Sequence, residues 1–280
     1  MAAVGFLAPA VLMLVVVRLL PAGYAIFSGF YHTSLLSGQE SWVGLQNYAD
    51  LFASDRFWNS VRVTLMFSLI INPFQVFIAF ALAVLFTQRM HVSGLWRSLV
   101  LLPVAAPGVV STITWGVIYR PDGLANSVLG VLGIPPQPYL ISTEQALMSI
   151  IILMSWAGVG YWMMFLIAGI NDIPPELHEA AALDGASAWR RFWQITLPLV
   201  RRPLAFVLVA DTITNFLVFA PVQVLTQGGP QGSTNLLMFE IYERAYKLGD
   251  LNTANAEVVI LVAITLVIVA VQFRMLGKAE

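Results

Sequence analysis

Six long apolar runs constrain the fold of this chain more than any other feature. They cover approximately residues 6–30, 60–86, 98–119, 146–170, 204–225 and 254–273. About 20 apolar residues in a helix cross a hydrocarbon core of about 30 Å, so each run is long enough for one crossing. Lipid offers the backbone no hydrogen-bond partners, and the alternating pattern of barrel strands is missing. The sequence therefore predicts an all-α polytopic membrane protein, a single domain over residues 1–280 with six transmembrane helices.

Composition agrees with this class and excludes a soluble globular enzyme. Apolar residues make up 59% of the chain and charged residues 10%, and the mean hydropathy is +0.81. Soluble domains contain about 45–50% apolar and about 25% charged residues. The chain has no cysteine, so it forms no disulfide and no thiolate metal site, and we expect no bound metal. A net charge of −1 gives no general attraction to nucleic acid.

The distribution of basic residues predicts the orientation in the membrane. If both termini are cytoplasmic, the inner loops and tail carry eight basic residues and the outer side five. The inner set is Arg89, Arg97, Arg190, Arg191, Arg201, Arg202, Arg274 and Lys278, and the outer set is Arg56, Arg62, Arg120, Arg244 and Lys247. Cytoplasmic loops of membrane proteins are enriched in Lys and Arg. We therefore expect both termini, and the segment between the fourth and fifth runs, to be cytoplasmic.

That segment, "EAAALDGASAWRRFWQITLP" from Glu179 to Pro198, mixes charged, small and aromatic residues. Gly185 is placed to end a first short helix in a left-handed conformation, and Ser187 is placed to cap a second. The alanines of the first helix allow another surface to approach closely. The aromatic residues can anchor the second helix in the bundle or at the membrane interface. From the residues alone, docking to a partner and simple contact with lipid both stay open.

The same segment resembles the EAA loop of binding-protein-dependent ABC import permeases. The resemblance is carried by Glu179, Ala180, Ala181, Gly185, Ile195, Leu197 and Pro198, which stand at the spacing of that loop. In that family the loop is the coupling helix, which sits in a groove on a cytoplasmic ATPase subunit. The resemblance implies that residues 171–203 form a cytoplasmic coupling loop and that these seven residues contact the ATPase.

Further motifs are similar to the carbohydrate-uptake branch of the family, the maltose and glycerol-phosphate type. They are "VGLQNY" (43–48), "LLPVAAPGVV" (101–110), "PDGLAN" (121–126) and "LTQGGP" (225–230), which occur in family order. The resemblance implies a type I ABC importer permease in the cytoplasmic membrane of a prokaryote. It also implies a second homologous permease, two ATPase subunits that bind ATP and Mg, and an extracytoplasmic solute-binding protein as partners. Consistently, the chain has no G-x-x-x-x-G-K-[ST] phosphate loop.

Polar and aromatic residues inside the runs are candidates for the substrate pathway, because buried polar groups in a membrane are expensive. Asp211 and Asn215 lie one helical turn apart in the fifth run and Asn72 lies in the second, while Trp156 and Tyr161 lie in the fourth. Each also has a structural interpretation, as an interhelical hydrogen bond or as part of an aromatic belt. Both interpretations stay open. We expect Glu257, near the start of the sixth run, to reach the outer interface.

The substrate class and the rival functions follow from the remaining residues. Within the runs only Arg18 and Arg62 are basic, which favours a neutral oligosaccharide, disaccharide or polyol. Glycerol phosphate or a related phosphodiester is the alternative, since a phosphate would favour basic residues along the pathway. An ion-coupled secondary transporter is a more remote alternative, because it would be expected to show internal repeats. An intramembrane protease is disfavoured because the three histidines lie in or beside loops.

Overall fold

The computed structural model describes residues 2–34, 38–88 and 93–277. Within these ranges the chain is helical except for one β-hairpin and short connections. The helices are α1 Ala2–Leu14, α2 Leu20–Ser28, α3 Gln46–Phe52, α4 Asp55–Thr87, α5 Ser93–Ala105, α6 Gly108–Ile118, α7 Leu124–Val131, α8 Ala146–Asn171, α9 Pro175–Leu183, α10 Ala188–Arg191, α11 Leu197–Leu199, α12 Arg201–Phe216, α13 Leu237–Tyr242 and α14 Leu251–Gly277. The strands are β1 Tyr31–Thr33 and β2 Glu40–Trp42. Four π-helical turns, Val15–Leu19, Phe192–Thr196, Val222–Thr226 and Glu243–Lys247, and a 3₁₀ turn, Tyr139–Ile141, complete the regular structure.

Four helical stretches in the described part are long and apolar enough to cross a membrane unbroken: Phe6–Ser28, Asp55–Thr87, Ala146–Asn171 and Leu251–Met275. Two further stretches pass the same test only as bent pairs. One pair, Gly94–Ala105 and Gly108–Ile118, bends by 100°, and the other, Ala188–Leu199 and Arg201–Phe216, bends by 62°. The helical class is therefore confirmed, with four candidate spans, or six if each bent pair counts as one.

The third and fifth runs do not form single continuous helices. The third run breaks between α5 and α6, where Pro107 cannot donate a backbone hydrogen bond and disfavours helical geometry at the residue before it. In the fifth run α12 ends at Phe216, nine residues before the predicted end at 225. Val218 and Phe219 have no helical structure, and a helical conformation resumes at Ala220 and Pro221 before a π-helical turn. By contrast, α4 is continuous through Pro73.

α4 and α8 pack along each other and form the centre of the bundle. Ala79 and Ala83 on α4 and Met163 and Leu166 on α8 are completely buried in one hydrophobic cluster. The partly buried Val100 and Leu101 of α5 pack against this cluster. The close approach depends on Gly160, because a Cβ atom there would lie 2.3 Å from the carbonyl oxygen of Val100.

One end of the bundle carries the β-hairpin and is called the hairpin end below. Tyr31 pairs with Trp42 across the two antiparallel strands. The side-chain amide of Asn47 on α3 donates to the carbonyl oxygens of Gly29 and Tyr31, at 2.9 and 2.8 Å. These bonds fix α3 to the end of α2. The opposite end of the bundle carries α9.

A buried charge cluster joins α4, α13 and α14 at the hairpin end. Glu240 accepts from Arg56 Nε at 2.6 Å and from Arg244 Nη2 at 3.3 Å. Glu257 accepts from Arg244 Nε at 3.1 Å. The expectation that Glu257 reaches the interface is wrong: the residue is 0% exposed. Its carboxyl group is buried beside Arg244, which supplies a hydrogen bond that partly offsets the cost of burial.

Glu243 extends the cluster toward the surface. Partial burial raises the pKa of its carboxyl group, but hydrogen bonds from Lys247 and Arg56, together with the charges of both, outweigh that effect. The pKa of Glu243 is therefore below its ordinary value, and the carboxylate stays ionised in the cluster.

The contact at Gly160 generates a stability prediction. We expect Gly160→Ala to destabilise the protein by about 1–3 kcal/mol, the usual cost of overpacking, because the new methyl group would collide with backbone rather than with a movable side chain. The measurement is thermal unfolding in detergent, followed by tryptophan fluorescence. Gly108→Ala is the matched control, since a Cβ atom there meets nothing within 4 Å. Equal melting temperatures for the two variants would contradict the prediction.

Candidate coupling segment and polar network

The exposed helix α9 has well-formed ends that follow from its sequence. Pro175 occupies the first helical turn and Glu176 is acidic there, which suits the positive end of the helix dipole. At the other end Gly185 has φ +76°. Its N–H donates to the carbonyl of Ala182 at 3.1 Å, and the N–H of Ala186 donates to the carbonyl of Ala181 at 2.9 Å. This pair of bonds is a Schellman motif.

No side chain of α9 is buried in this chain. Of the predicted coupling residues, Glu179, Ala180 and Gly185 are exposed and Ala181 is half-buried. Leu183 is 90% exposed, which is a large apolar surface for a helix end. The helix is held to the following segment by a bond from Arg191 Nη1 to the carbonyl of His178, at 3.5 Å. The arrangement leaves a short, small-residue helix free to contact another surface.

The second half of the segment packs inward. Ser187 caps α10 by accepting from the N–H of Arg190 at 3.2 Å. The rings of Phe192 and Phe80 lie 5.9 Å apart, which joins this half to α4. The remaining predicted coupling residues, Ile195, Leu197 and Pro198, are half-buried, and Ile195 packs against the main hydrophobic cluster. The predicted coupling set thus divides into an exposed part on α9 and an anchoring part that leads into α12.

A buried hydrogen-bond network joins α4 to α12 inside the bundle. The amide of Asn215 donates to Asn72 Oδ1 at 2.7 Å and to Gln75 Oε1 at 3.1 Å. Asn72 in turn donates to Ser68 Oγ at 2.7 Å and to Thr212 Oγ1 at 3.0 Å. All five of these side chains are less than 9% exposed. In this conformation the amides satisfy one another across the helices and line no open channel.

Asp211 lies at the edge of the same network. It is 1% exposed and lies beside the side chains of Trp162 and Asn215. Neither carboxylate oxygen makes a hydrogen bond of normal geometry with any residue that the structure describes. A buried polar group without a partner is costly, and Asp211 keeps unused hydrogen-bonding capacity beside the network.

The two aromatic candidates lie apart from this network. Trp156 is 41% exposed and packs edge-on against Trp115, with ring centroids 5.7 Å apart. It lines a mainly apolar cavity of about 490 Å³ between α4, α5 and α8. Tyr161 is 46% exposed and packs against Trp162. The structure therefore brings together Asn72, Asp211 and Asn215 but separates them from Trp156 and Tyr161, and a substrate role for all five stays a prediction.

Sequence reasoning missed four members of the network: Ser68, Gln75, Thr212 and Gln272. Gln75 also donates to the carbonyl of Met154 on α8, and Gln272 on α14 donates to Thr212 Oγ1 at 2.8 Å. A signal was present, because residues 68, 72 and 75 recur at helical spacing on one face of α4. Among the described residues no group of three or more His, Asp or Glu side chains is placed to hold a metal ion.

A bundle of membrane-length helices with a buried polar seam and an exposed, glycine-capped helix at one end is typical of a membrane transport permease. Residues 49–277 match the family model described as the inner membrane component of binding-protein-dependent transport systems. The chain belongs to this family, and the predicted resemblance is confirmed. It is the permease component of an ABC importer and not an enzyme, since ATP hydrolysis is the task of a partner subunit.

Several curated relatives match nearly the whole chain. The trehalose/maltose transport system permease protein MalF of Thermococcus litoralis is 33% identical over 252 residues, which is 89% of this chain and 84% of that protein. The sn-glycerol-3-phosphate transport system permease protein UgpA of Agrobacterium fabrum is 29% identical, over 97% of this chain and 93% of that protein. The sulfoquinovosyl glycerol transport system permease protein SmoG of the same organism is 30% identical, over 99% and 91%.

A solved structure has the same fold. A bacterial ABC transporter involved in import of the acidic polysaccharide alginate matches with a TM-score of 0.86 at 22% identity, covering 98% of this chain and 94% of that one. A second structure of an alginate ABC transporter, in complex with a pentasaccharide-bound periplasmic protein, gives a TM-score of 0.84 at 21% identity. At this level of identity the likeness establishes the type I permease fold.

The polar network predicts energetic coupling between α4 and α12. We expect Asn72→Leu and Asn215→Leu each to cost about 1–3 kcal/mol, because each leaves buried partners unsatisfied. The double variant should cost less than the sum, with a coupling energy of about 0.6 kcal/mol, the average for interhelical bonds in membranes. The measurement is reversible unfolding in mixed micelles. Thr214→Ala is the control, because Thr214 is exposed and bonds only within its own helix. Strictly additive costs would show that the two amides do not interact.

Proposed function

We propose that this chain forms half of the translocation pathway of an ATP-driven importer for a neutral sugar or polyol. In this proposal residues 171–203 are the coupling loop, and Glu179, Ala180, Ala181 and Gly185 contact the ATPase directly. Ile195, Leu197 and Pro198 hold the loop to the bundle. The single observation that carries the proposal is α9: a helix with no buried side chain, ended by a Schellman motif, within the region that matches the family.

The proposed topology has six transmembrane spans with both termini cytoplasmic, in the inner membrane of a prokaryote. Counting each bent helix pair as one span supports this number. The bias of basic residues toward the α9 end supports the orientation. Two of the eight basic residues predicted for the cytoplasmic side, Arg89 and Lys278, lie outside the residues that the structure describes. The hairpin end is then extracytoplasmic and faces the solute-binding protein.

The proposed assembly contains a second homologous permease, two ATPase subunits and the extracytoplasmic solute-binding protein. ATP and Mg are bound by the ATPases, and this chain carries no cofactor of its own. The solved alginate transporter was crystallised with its periplasmic protein, which supports the same arrangement here. Lipid covers the remaining apolar surface of the spans, such as Leu69 and Phe77, which are 77% and 68% exposed in this chain.

The substrate class has two candidates. Relatives named for trehalose and maltose and for sulfoquinovosyl glycerol support a glycoside. Five relatives named for sn-glycerol 3-phosphate, at 29–31% identity over 96–97% of this chain, support a phosphorylated polyol as the second candidate. The neutral network of Asn72, Gln75 and Asn215 favours the first, since it offers amide groups to hydroxyls and no cation to a phosphate.

Uptake into proteoliposomes tests the function. The complete complex is reconstituted with ATP inside and the solute-binding protein outside, and labelled maltose, trehalose and glycerol 3-phosphate are offered separately. We expect uptake of a neutral saccharide that requires both ATP and the binding protein. Uptake driven by an ion gradient without ATP would instead identify a secondary transporter.

Gly185 generates a specific prediction for coupling. Gly185→Val forces a β-branched residue into φ +76°, a strain of about 1–3 kcal/mol, which distorts the end of α9. If about 1.4 kcal/mol of that strain weakens the binding of α9 to the ATPase, we expect binding-protein-stimulated ATP hydrolysis to fall about tenfold. The measurement is stimulated hydrolysis by the purified complex.

Gly133 provides a matched control for this variant. It has φ +73°, and a Cβ atom there, as at Gly185, meets nothing within 4 Å. It lies after α7 at the opposite end of the bundle from α9. Gly133→Val should carry similar strain and leave stimulated hydrolysis intact. Equal losses in the two variants, or no loss in either, would argue against coupling through α9.

A further inference from the structure

An open, mainly apolar groove runs along the second half of α4, beside the chain that follows α9. Its volume is about 410 Å³. The residues of α4 and its C-terminal cap that line the groove stand on one helical face, at positions 77, 80, 81, 84 and 88. Ala188, Trp189 and Phe192 form the other wall. The groove therefore lies between a membrane-length helix and the part of the candidate coupling segment that packs against the bundle.

The length of the groove matches one leaflet of a membrane. Phe77 and Gln88 are 11 residues apart, which is about 16 Å along a helix. A hydrocarbon core is about 30 Å thick, so this distance is about half of it. Gln88 directly follows the last residue of α4, at the end of the bundle that carries α9, and Phe77 lies inside the span. The groove thus extends from the membrane surface at the α9 end toward the midplane.

Both walls of the groove are open to a ligand in this chain. Phe77 and Trp189 are 68% and 71% exposed, and Ala81 is exposed as well. Phe80 and Phe192 are half-buried, with ring centroids 5.9 Å apart. A flexible apolar chain that lies in the groove can therefore contact α4 on one side and the aromatic residues of the coupling segment on the other.

The wall formed by the coupling segment carries positive charge. Arg190 directly follows Trp189 and is exposed. Among the residues that the structure describes, its guanidinium makes one hydrogen bond, from Nε to Gln194 Oε1 at 3.0 Å, and no ion pair. Residues 56–121 and 185–210, which supply the two walls, contain no Asp or Glu, and the second stretch contains four arginines. A phosphate beside Arg190 would gain attraction and would meet no carboxylate of either wall.

A phospholipid with a net negative charge fits this combination of features. A sugar would require several polar partners, but Gln88 is the one polar residue among those that line the groove. A phospholipid supplies an apolar chain at the depth of one leaflet and a phosphate at the membrane surface. Anionic lipids of the cytoplasmic leaflet attract basic segments of membrane proteins, whereas a zwitterionic headgroup carries its own cation beside the phosphate.

We propose that this groove binds one anionic phospholipid of the cytoplasmic leaflet. An acyl chain lies along residues 77–88 of α4 and against Trp189 and Phe192, and the phosphate accepts hydrogen bonds from Arg190 and from the Gln88 amide. The lipid fills the space between α4 and the coupling segment and so holds the two together. The proposal rests on the orientation proposed above, in which the α9 end is cytoplasmic.

Quenching of Trp189 fluorescence by brominated lipid tests the contact. The complete complex is reconstituted in vesicles of phosphatidylglycerol and phosphatidylcholine, in which one lipid or the other carries bromine on its acyl chains. The complex with Trp189→Phe gives the signal of all other tryptophans, which is subtracted for the unsubstituted chain and for each further variant. The ratio of the two quenching efficiencies measures the preference of the groove for phosphatidylglycerol.

Two arginines provide a matched pair of variants. Arg190 and Arg201 are both exposed and lie in the same stretch without acidic residues, but only Arg190 is a chain neighbour of a groove residue. We expect Arg190→Gln to lower the preference for phosphatidylglycerol about fivefold, the contribution of one basic residue near an anionic membrane surface. Arg201→Gln should leave the preference unchanged.

A second pair of variants tests the apolar part of the groove. Ala81→Phe places a ring in the groove from an exposed position, and we expect it to reduce quenching of Trp189 by both lipids. Leu69→Phe is the control, because Leu69 is 77% exposed on α4 and does not line the groove. Equal quenching of Trp189 in these two variants would refute an acyl chain in the groove.

Two further results would overturn the proposal. Equal preferences in Arg190→Gln and Arg201→Gln, or no preference in the unsubstituted complex, would show that the groove does not select an anionic headgroup. Absence of Trp189 quenching by either lipid would instead assign the groove to contact with a partner subunit.

Binding-protein-stimulated ATP hydrolysis in the same vesicles separates this proposal from the importer function. Normal stimulation without lipid selectivity would refute the lipid site and leave the importer function intact. Lipid selectivity at Trp189 without any stimulated hydrolysis would support the lipid site and count against the importer function.

Discussion

Most polar side chains that this chain withdraws from water have a partner inside the protein, and this constraint organises the bundle. Lipid supplies no hydrogen bonds to either backbone or side chains. Asn72 and Asn215 are buried because each satisfies the other across α4 and α12. Glu240 and Glu257 are completely buried beside Arg56 and Arg244, which donate hydrogen bonds to them. The two sets differ in strength, since amide pairs in membranes contribute little while a broken buried ion pair costs several kcal/mol.

The difference in strength matches the positions of the two sets. The charge cluster joins three elements at the hairpin end through ion pairs. The amide network lies inside the bundle and joins α4 to α12 through weaker bonds between neutral groups. Asp211 adds a carboxyl group with unused acceptor capacity next to Asn215. The interior of the bundle is thus held by weaker polar contacts than the hairpin end.

Part of this arrangement follows from sequence and part does not. The apolar runs identify the helical class, and Gly185 ends α9 as its position predicts, because both depend on residues close together in the chain. The bend at Pro107 depends on a local proline, and the effect of a proline varies, since Pro73 lies within a continuous helix. Run length alone therefore overestimates continuity.

Long-range pairing of side chains explains the remaining differences between the sequence predictions and the structure. Glu257 looks like an interface residue because it stands in the first turns of an apolar helix, and only the fold brings Arg244 beside it. Gln75 and Gln272 carry no local signal of their partners, which lie on other helices. Helical spacing of residues 68, 72 and 75 predicts a polar face on α4 but not what it meets. The role of a side chain cannot be predicted from the sequence when it depends on a partner that is distant in the chain.

α12 connects the coupling segment to the buried amide network. It begins two residues after α11, across a bend of 62°, and carries Asp211, Thr212 and Asn215 in its second half. A helix of 16 residues is about 24 Å long. Ile195 and Phe192 pack the segment before this bend against the bundle. The exposed α9 and the network are therefore joined through packed side chains and a bend, and not through one straight helix.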